Sequence, residues 1–345
     1  MEILVRGPNW TGDLVMSTPG FRSLRAGFPD ARITLQLRGG LIPLMAGAPW
    51  FDQVIPLSSY AAGAMGLVRE AMSLRRRGRF DIGLCIPDSF SSALLMRLAG
   101  VRQVVGYRRG GRGLLLHHPV SPAPDWGRDR LVARELFVLG LTESLDCQER
   151  GTHLELFTTP DEESRAKEVF ERHNLDPEGP LVALAPGASF GPSKRWPTES
   201  FAKLGDAAVR TGARVILVGA PDERSLAREI AGAMRERAVD LIGELDLGVA
   251  KAVLRRVSVL VCNDAGARHI AVAFAVPCVM FVGPTSLRKT HLNLAGVKVL
   301  ETAAECRPCY LRTCPIDHRC MTGLTTQAAI DATLETLGER AASAP

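Results

Sequence analysis

Two kinds of stretch alternate along the chain: short runs rich in Ile, Leu and Val, and longer amphipathic segments. The runs at 2–8, 31–38, 51–57, 80–87 and 103–108 stop at or near Gly, Pro or Arg, which predicts buried strands. A second series follows at 181–187, 213–221, 239–243, 257–264, 277–284 and 297–301. Between the runs, apolar residues recur three and four apart, predicting helices near 63–78, 89–99, 128–140, 198–210, 222–238 and 325–341. Another helical pattern starts at Gly12, with Leu14, Val15, Phe21 and Leu24 on one side. Pro19 inside it predicts a lost backbone bond or a kink. Apolar strands alternating with helices mean parallel sheets covered on both faces, and two such series mean two doubly wound α/β domains. The stretch "FTTPDEESRAKEVFERHNLDPEGP" at 157–180 opens with a Thr-Thr-Pro-Asp helix start and ends in a Pro-Gly turn. The boundary is therefore placed there, giving domains 1–160 and 161–325 and a terminal helix in 326–345.

The length of 345 residues suits two cores of about 150–170 residues each. A 46% hydrophobic and 23% charged composition is that of a globular chain, not a disordered one. The net charge of +5 favours anionic partners without naming one. Only 6% of residues are aromatic and the arginines are not interleaved with them, which argues against a nucleic-acid partner. "MEILVRGPNW" has no basic segment followed by a long apolar one, so no secretory signal is expected. The most apolar stretch, 270–283, contains Pro277 and is too short to span a bilayer. A cytoplasmic chain is expected, with any membrane contact peripheral.

Ligands of open α/β sheets bind beyond the carboxyl ends of the strands, so the residues just past each run matter most. After the first comes "GPNWTGDLVMS", with Asp13 at a helix start. It reads either as a carboxylate serving the helix dipole or as a base able to take a proton from a substrate hydroxyl. After the run at 181 comes "PGASFGPSKRWP". It is neither a P-loop nor a GxGxxG turn, yet Lys194 after a glycine-containing turn suits a phosphate; a solvated Lys-Arg pair is the alternative. After the run at 257 comes "NDAGARHIAVAF", in which Asp264 closes the strand and Ala265 and Gly266 turn into a helix bearing Arg268 and His269. A helix N-terminus there favours an anion, and Asp264 is also a ready cap. "VGAPDER" at 218–224 offers Asp222 and Glu223 to ribose hydroxyls, or simply starts a surface helix. No D-x-D triplet occurs, so a catalytic metal held by paired aspartates is not indicated. Arginines crowd at 74–81, read as a solvated helix end. They crowd again at 106–113, where they suit an anionic acceptor or a membrane surface.

Cys85, Cys262 and Cys278 lie in apolar runs and read as core residues of a reducing compartment, while Cys147 has no obvious partner. Cys306, Cys309, Cys314 and Cys320 stand at C-x2-C-x4-C-x5-C with His318 inside. That spacing admits a structural zinc or an iron–sulfur site, or a thiol-rich loop without metal.

The strings "GPNWTGDLVMSTP", "PGASFGPSKRWP" and "NDAGARHIAVAFAVPCVMFVGPTS", in that order, resemble the ADP-heptose:lipopolysaccharide heptosyltransferases. The Asn-Trp-Thr-Gly-Asp string and the "C-x-P-C…C-P…H-x-C-M" ending are most like the type II branch. The resemblance implies the glycosyltransferase B fold: two Rossmann-like domains facing a cleft, the first holding the acceptor and the second the ADP-sugar. It further implies that the last helix packs back toward the first domain. By the same resemblance Asp13 is the general base, Lys194 and Ser189 serve the donor phosphates, Glu223 the ribose and Leu245 the adenine. Asp264, Ala265, Gly266, Arg268 and His269 line the diphosphate and heptose, and Asn9, Trp10, Arg108 and Arg109 lie toward the acceptor. The family usually carries Ser or Thr in place of Ala265, and often Met or Leu in place of Arg268, so a hydroxyl is missing and a cation added. The reaction implied is inverting transfer of heptose to the lipopolysaccharide inner core, with no cofactor required for catalysis. A monomer at the cytoplasmic face of the inner membrane is implied as well. A related transferase with another nucleotide-sugar or acceptor, and a non-catalytic nucleotide- or nucleic-acid-binding protein, are the alternatives.

Overall fold

The computed structural model describes residues 1–58, 63–126, 132–176 and 179–343. The chain divides into two units, Met1–Phe157 with Arg288–Leu292, and Thr158–Leu287 with Asn293–Pro345. The break falls just ahead of the helix expected at the boundary, whose start is a capping box: Thr159 accepts from the Glu162 amide while Glu162 accepts from that of Thr159. Pro177, from the expected turn at the end of this stretch, lies outside the described residues.

The first unit is built on six parallel strands: β1 (Glu2–Arg6), β2 (Arg32–Arg38), β3 (Gln53–Leu57), β4 (Ile82–Cys85), β5 (Gln103–Tyr107) and β6 (His118–Val120). Their order in the sheet is β3-β2-β1-β4-β5-β6. All five expected strands form, and β6 adds a short edge. The helical pattern from Gly12 is two helices, α1 (Thr11–Val15) and α2 (Thr18–Gly27). Pro19 sits at the second position of α2, where its missing N–H disturbs nothing. Helices α3 (Gly63–Arg77) and α4 (Phe90–Leu98) match expectation. Next comes α5 (Arg134–Glu143), later than expected; positions 128–131 of that segment lie outside the described residues.

The second unit repeats the plan. It starts with α6 (Pro160–Arg172) and carries β7 (Leu181–Ala185), α7 (Thr198–Arg210), β8 (Arg214–Leu217), α8 (Arg224–Ala233) and β9 (Val239–Asp240). There follow α9 (Leu247–Leu254), β10 (Val259–Asn263), α10 (Gly266–Ala273), β11 (Cys278–Val282), β12 (Val297–Glu301), α11 (Arg319–Thr322) and α12 (Thr326–Ser343). The sheet order is β12-β11-β10-β7-β8-β9, again all parallel. Counted from its own first strand, each sheet thus has the order 3-2-1-4-5-6 of a dinucleotide-binding fold, with the reversal beside β1 and beside β7. Strands β7, β10 and β11 are buried at every residue, as a sheet covered on both faces requires.

Trp196, Phe201 and Phe281 form the centre of the second core, with Trp196 stacked 4.2 Å from Phe281. Helix α12 packs on α7, β10 and β11 of its own unit. Ala329, Ile330 and Leu337 give it an apolar face that belongs to this core. Among the described residues no helix is long and apolar enough to cross a membrane.

Candidate active site

The reversal of strand order opens a crevice at the carboxyl end of each sheet. In the first unit it lies between β1 and β4, and the chain leaving β1 carries Asn9, Trp10 and Asp13. Burial pushes the Arg6 guanidinium down to about 10, and Arg6 reaches forward to bond the Asn9 side chain, fixing the turn. Trp10 is half exposed and caps nothing. Asp13 is the third residue of α1, and Ser17 bonds its backbone carbonyl. The carboxylate itself enters no hydrogen bond or ion pair with the described residues, so it is not a helix cap. The loop after β4 places Asp88 beside the arginines that follow β5, 3.2 Å from Arg109 and 3.1 Å from the buried Arg112. Arg108 and Arg109 are exposed.

In the second unit the crevice lies between β7 and β10, and both loops contribute. Asn263, wholly buried at the end of β10, accepts from the Trp196 amide at 3.0 Å and donates to the Pro186 carbonyl at 2.8 Å. It thereby staples the loop after β7 at both ends. On that loop the ammonium of Lys194 donates to Asp264 twice, to the carbonyl at 2.8 Å and to Oδ2 at 2.7 Å. Thr285, past the end of β11, donates to the same Oδ2 at 2.9 Å. Burial pushes the Asp264 carboxyl up, but Lys194 and the cationic groups around it together outweigh this, and the net direction is downward.

Asp264 is therefore not the cap of α10. The N-cap is Ala265, whose side chain makes no capping bond. Gly266 and Ala267 follow it half buried, and Arg268 and His269 are buried. Burial and the neighbouring Arg268 push His269 well below its ordinary value, so the imidazole is neutral; its Nδ1 has no hydrogen-bond partner among the described residues. The guanidinium of Arg268 acts electrostatically on Asp264, His269, Cys262 and Cys278.

Glu223 closes the third loop, after β8. Its carboxylate accepts from the Ala220 amide at 2.9 Å and lies directly on Gly187, where a methyl group would overlap it. Burial raises its pKa, with Arg195 pulling the other way. Asp222 beside it is exposed, as is Ser189 on the Lys194 loop, and Leu245 is partly buried past β9. Lys194, Asp264 and Thr285 are thus brought into direct contact, and Glu223 meets the same loop at Gly187.

Asn263 and Thr285 escaped the sequence reading, and His318 entered it only as a member of the cysteine cluster. His318 bonds the Ser193 carbonyl at 2.6 Å, while Ser193 donates to Leu311 O at 2.5 Å through Oγ and to Arg312 O at 3.1 Å through N. The cysteine-bearing segment therefore backs the Lys194 loop. Within it Cys306 and Cys309 are exposed and Cys320 is buried, its thiol raised by burial and further by the other three. No group of three or more His, Cys, Asp or Glu side chains among the described residues is arranged to hold a metal. Cys85, Cys262 and Cys278 are buried in the sheets, as expected. Cys147 is buried too, packed against Gly27, and its burial pushes the thiol up to about 11.

Residues 69–319 match glycosyltransferase family 9 (heptosyltransferase). The chain is 31% identical over 294 residues to lipopolysaccharide heptosyltransferase 2 of Escherichia coli K12, covering 83% of this chain and 84% of that protein. It is 28% identical over 298 residues to lipooligosaccharide heptosyltransferase 2 of Haemophilus influenzae, covering 84% and 85%. Among solved structures, Escherichia coli ADP-heptose lipopolysaccharide heptosyltransferase II aligns with a TM-score of 0.82 at 26% identity, covering 98% of this chain and 99% of that one. The structural alignment covers nearly the whole chain, and the two doubly wound domains are those of the glycosyltransferase B class. The chain belongs to glycosyltransferase family 9, the heptosyltransferases.

Proposed function

We propose that this glycosyltransferase moves heptose from ADP-heptose to the lipid-linked inner core of lipopolysaccharide, with inversion at the anomeric carbon. The observation that carries the donor half is the pairing of Lys194 with an uncapped helix. An ammonium has three donors, and Asp264 takes two of them, which orients the third. Beside it the first-turn amides of α10 follow a residue with no capping side chain. Fixed cation and helix N-terminus together suit a diphosphate. Glu223, on the neighbouring loop, is the carboxylate for the ribose hydroxyls, and Leu245 the apolar contact for the adenine.

The acceptor hydroxyl oxygen attacks the anomeric carbon as the bond from that carbon to the β-phosphate oxygen breaks. The electron pair of the broken bond leaves with ADP. Asp13 takes the hydroxyl proton, a role suited to a carboxylate with no bond of its own to break. Lys194 and the α10 amides stabilise the charge that grows on the diphosphate, which is where preorganised donors lower a barrier most. Asn9, Trp10, Arg108 and Arg109 serve the anionic acceptor, at the cytoplasmic face of the membrane that carries it.

Calorimetric titration with ADP-heptose, ADP and a uridine diphosphate sugar tests the donor. Wild type is expected to bind both adenine compounds and not the uridine one, and Lys194→Ala to lose about tenfold or more in affinity for each. Equal binding of wild type and variant would remove Lys194 from the diphosphate.

A further inference from the structure

The inner face of α3 is ordinary: Leu67, Ala71 and Leu74 pack into the core of the first unit. Its outer face is not. Met65, Val68 and Met72 fall on one stripe at the centre of that face and are 75%, 47% and 50% exposed. Phe90 of α4, packed beside α3, is 51% exposed, and Leu114, in the short 3-10 turn against α4, is 96% exposed. Five of the nine large apolar side chains most exposed among the described residues thus stand on three adjoining elements. Single exposures of this kind are normal on any surface; a concentration on adjoining elements marks a contact.

The charge on the same elements has one sign. Arg69 flanks the methionine stripe, and Arg75, Arg76 and Arg77 close its last turn. The one carboxylate in α3, Glu70, is buried and bonded to Gln36 and to the Ser58 amide, and neither α4 nor the turn at 112–115 contains an acid. A face that is apolar in the middle and whose exposed charges on these three elements are all cationic repels a second copy of itself. It complements an anionic lipid surface, where apolar side chains pass between headgroups and guanidinium groups meet phosphates.

We propose that the outer face of α3, with Phe90 and Leu114 beside it, docks the enzyme on an anionic phospholipid bilayer. This deepens the reading of a lipid-linked acceptor and rests on it for its purpose, but its test needs no transfer. The full-length protein is floated with vesicles of phosphatidylethanolamine and phosphatidylglycerol, and with phosphatidylcholine alone. Wild type should partition onto the anionic vesicles about tenfold better than onto the neutral ones, and lose that preference in high salt. Met65→Ser with Met72→Ser should lower partitioning about tenfold or more, and Arg75→Gln with Arg76→Gln about fivefold per arginine at low salt. All six side chains named here and in those variants as contacts are exposed, so thermal unfolding should be unchanged and folding is not in question. Transfer to a water-soluble, lipid-free core oligosaccharide should also be unchanged in both variants. Equal partitioning of wild type and both variants would overturn the proposal, as would a dimer lost in Met65→Ser/Met72→Ser with no vesicle binding by wild type. Vesicle binding without any heptose transfer would leave the docking face standing and sink the heptose reading alone.

Discussion

Lys194 is fixed by two bonds to one residue, and that residue is held in turn by Thr285 from a third strand end. Lys194, Asp264 and Glu223 were legible in the sequence because each lies just past an apolar run. Asn263 was not, although it anchors the loop. It ends a strand like any small polar residue, and its partners Trp196 and Pro186 are 67 and 77 residues away. The burial of His269 has a consequence for pH. Its folded pKa lies well below the unfolded value of about 6.5, so below that pH the unfolded chain binds a proton that the folded chain does not. Stability is therefore complete above about 6.5 and falls as the pH drops through it. Between pH 7.5 and 5.5 this single group therefore lowers stability. Denaturant titrations at both values should show wild type losing more stability on acidification than His269→Gln, and parallel curves would show that the imidazole is not kept neutral.

At the level of elements, period and punctuation carried most of the reading. All the expected strands formed, and α7 runs over the residues expected. Elsewhere local pattern is silent. Pro19 reads as a kink within a helix and is the start of a new one. The apolar face of α12 covers α7, β10 and β11 of its own unit. The backbone of the cysteine-bearing segment bonds Ser193 and so supports the Lys194 loop. The point of closest approach is Gly191, at φ +154°, where a methyl group would run into the carbonyl oxygen of Arg312. Gly191→Ala should cost about 1–3 kcal/mol of stability and weaken ADP-heptose binding. Gly232→Ala, in α8 with open space around it, should be neutral or slightly stabilising. Equal effects of the two substitutions, measured by denaturation and calorimetry, would mean that the support is not needed.

At the level of the whole molecule, one plan is used twice. Two sheets of the same strand order each place a proposed site residue at the reversal, Asp13 after β1 in one unit and Lys194 after β7 in the other. The duplication was legible in the two series of apolar runs, and the family in three strings at the strand ends. The side-chain network that joins those strings was not, because it is made across the sheet and not along the chain. With the proposed base and the proposed donor site in separate units, losing the former should leave donor binding intact: Asp13→Asn should bind ADP-heptose within about twofold of wild type.

The decisive measurement is mass-spectrometric detection of heptose transfer from ADP-heptose to a heptosylated inner-core acceptor, with wild type and Asp13→Asn side by side. Wild type should add one heptose, and Asp13→Asn should lose about 10²-fold or more of the rate, the range a positioned general base supplies. Undiminished transfer by Asp13→Asn would remove the carboxylate from the chemistry. Failure of wild type to transfer heptose, with ADP-heptose bound, would contradict the assigned acceptor.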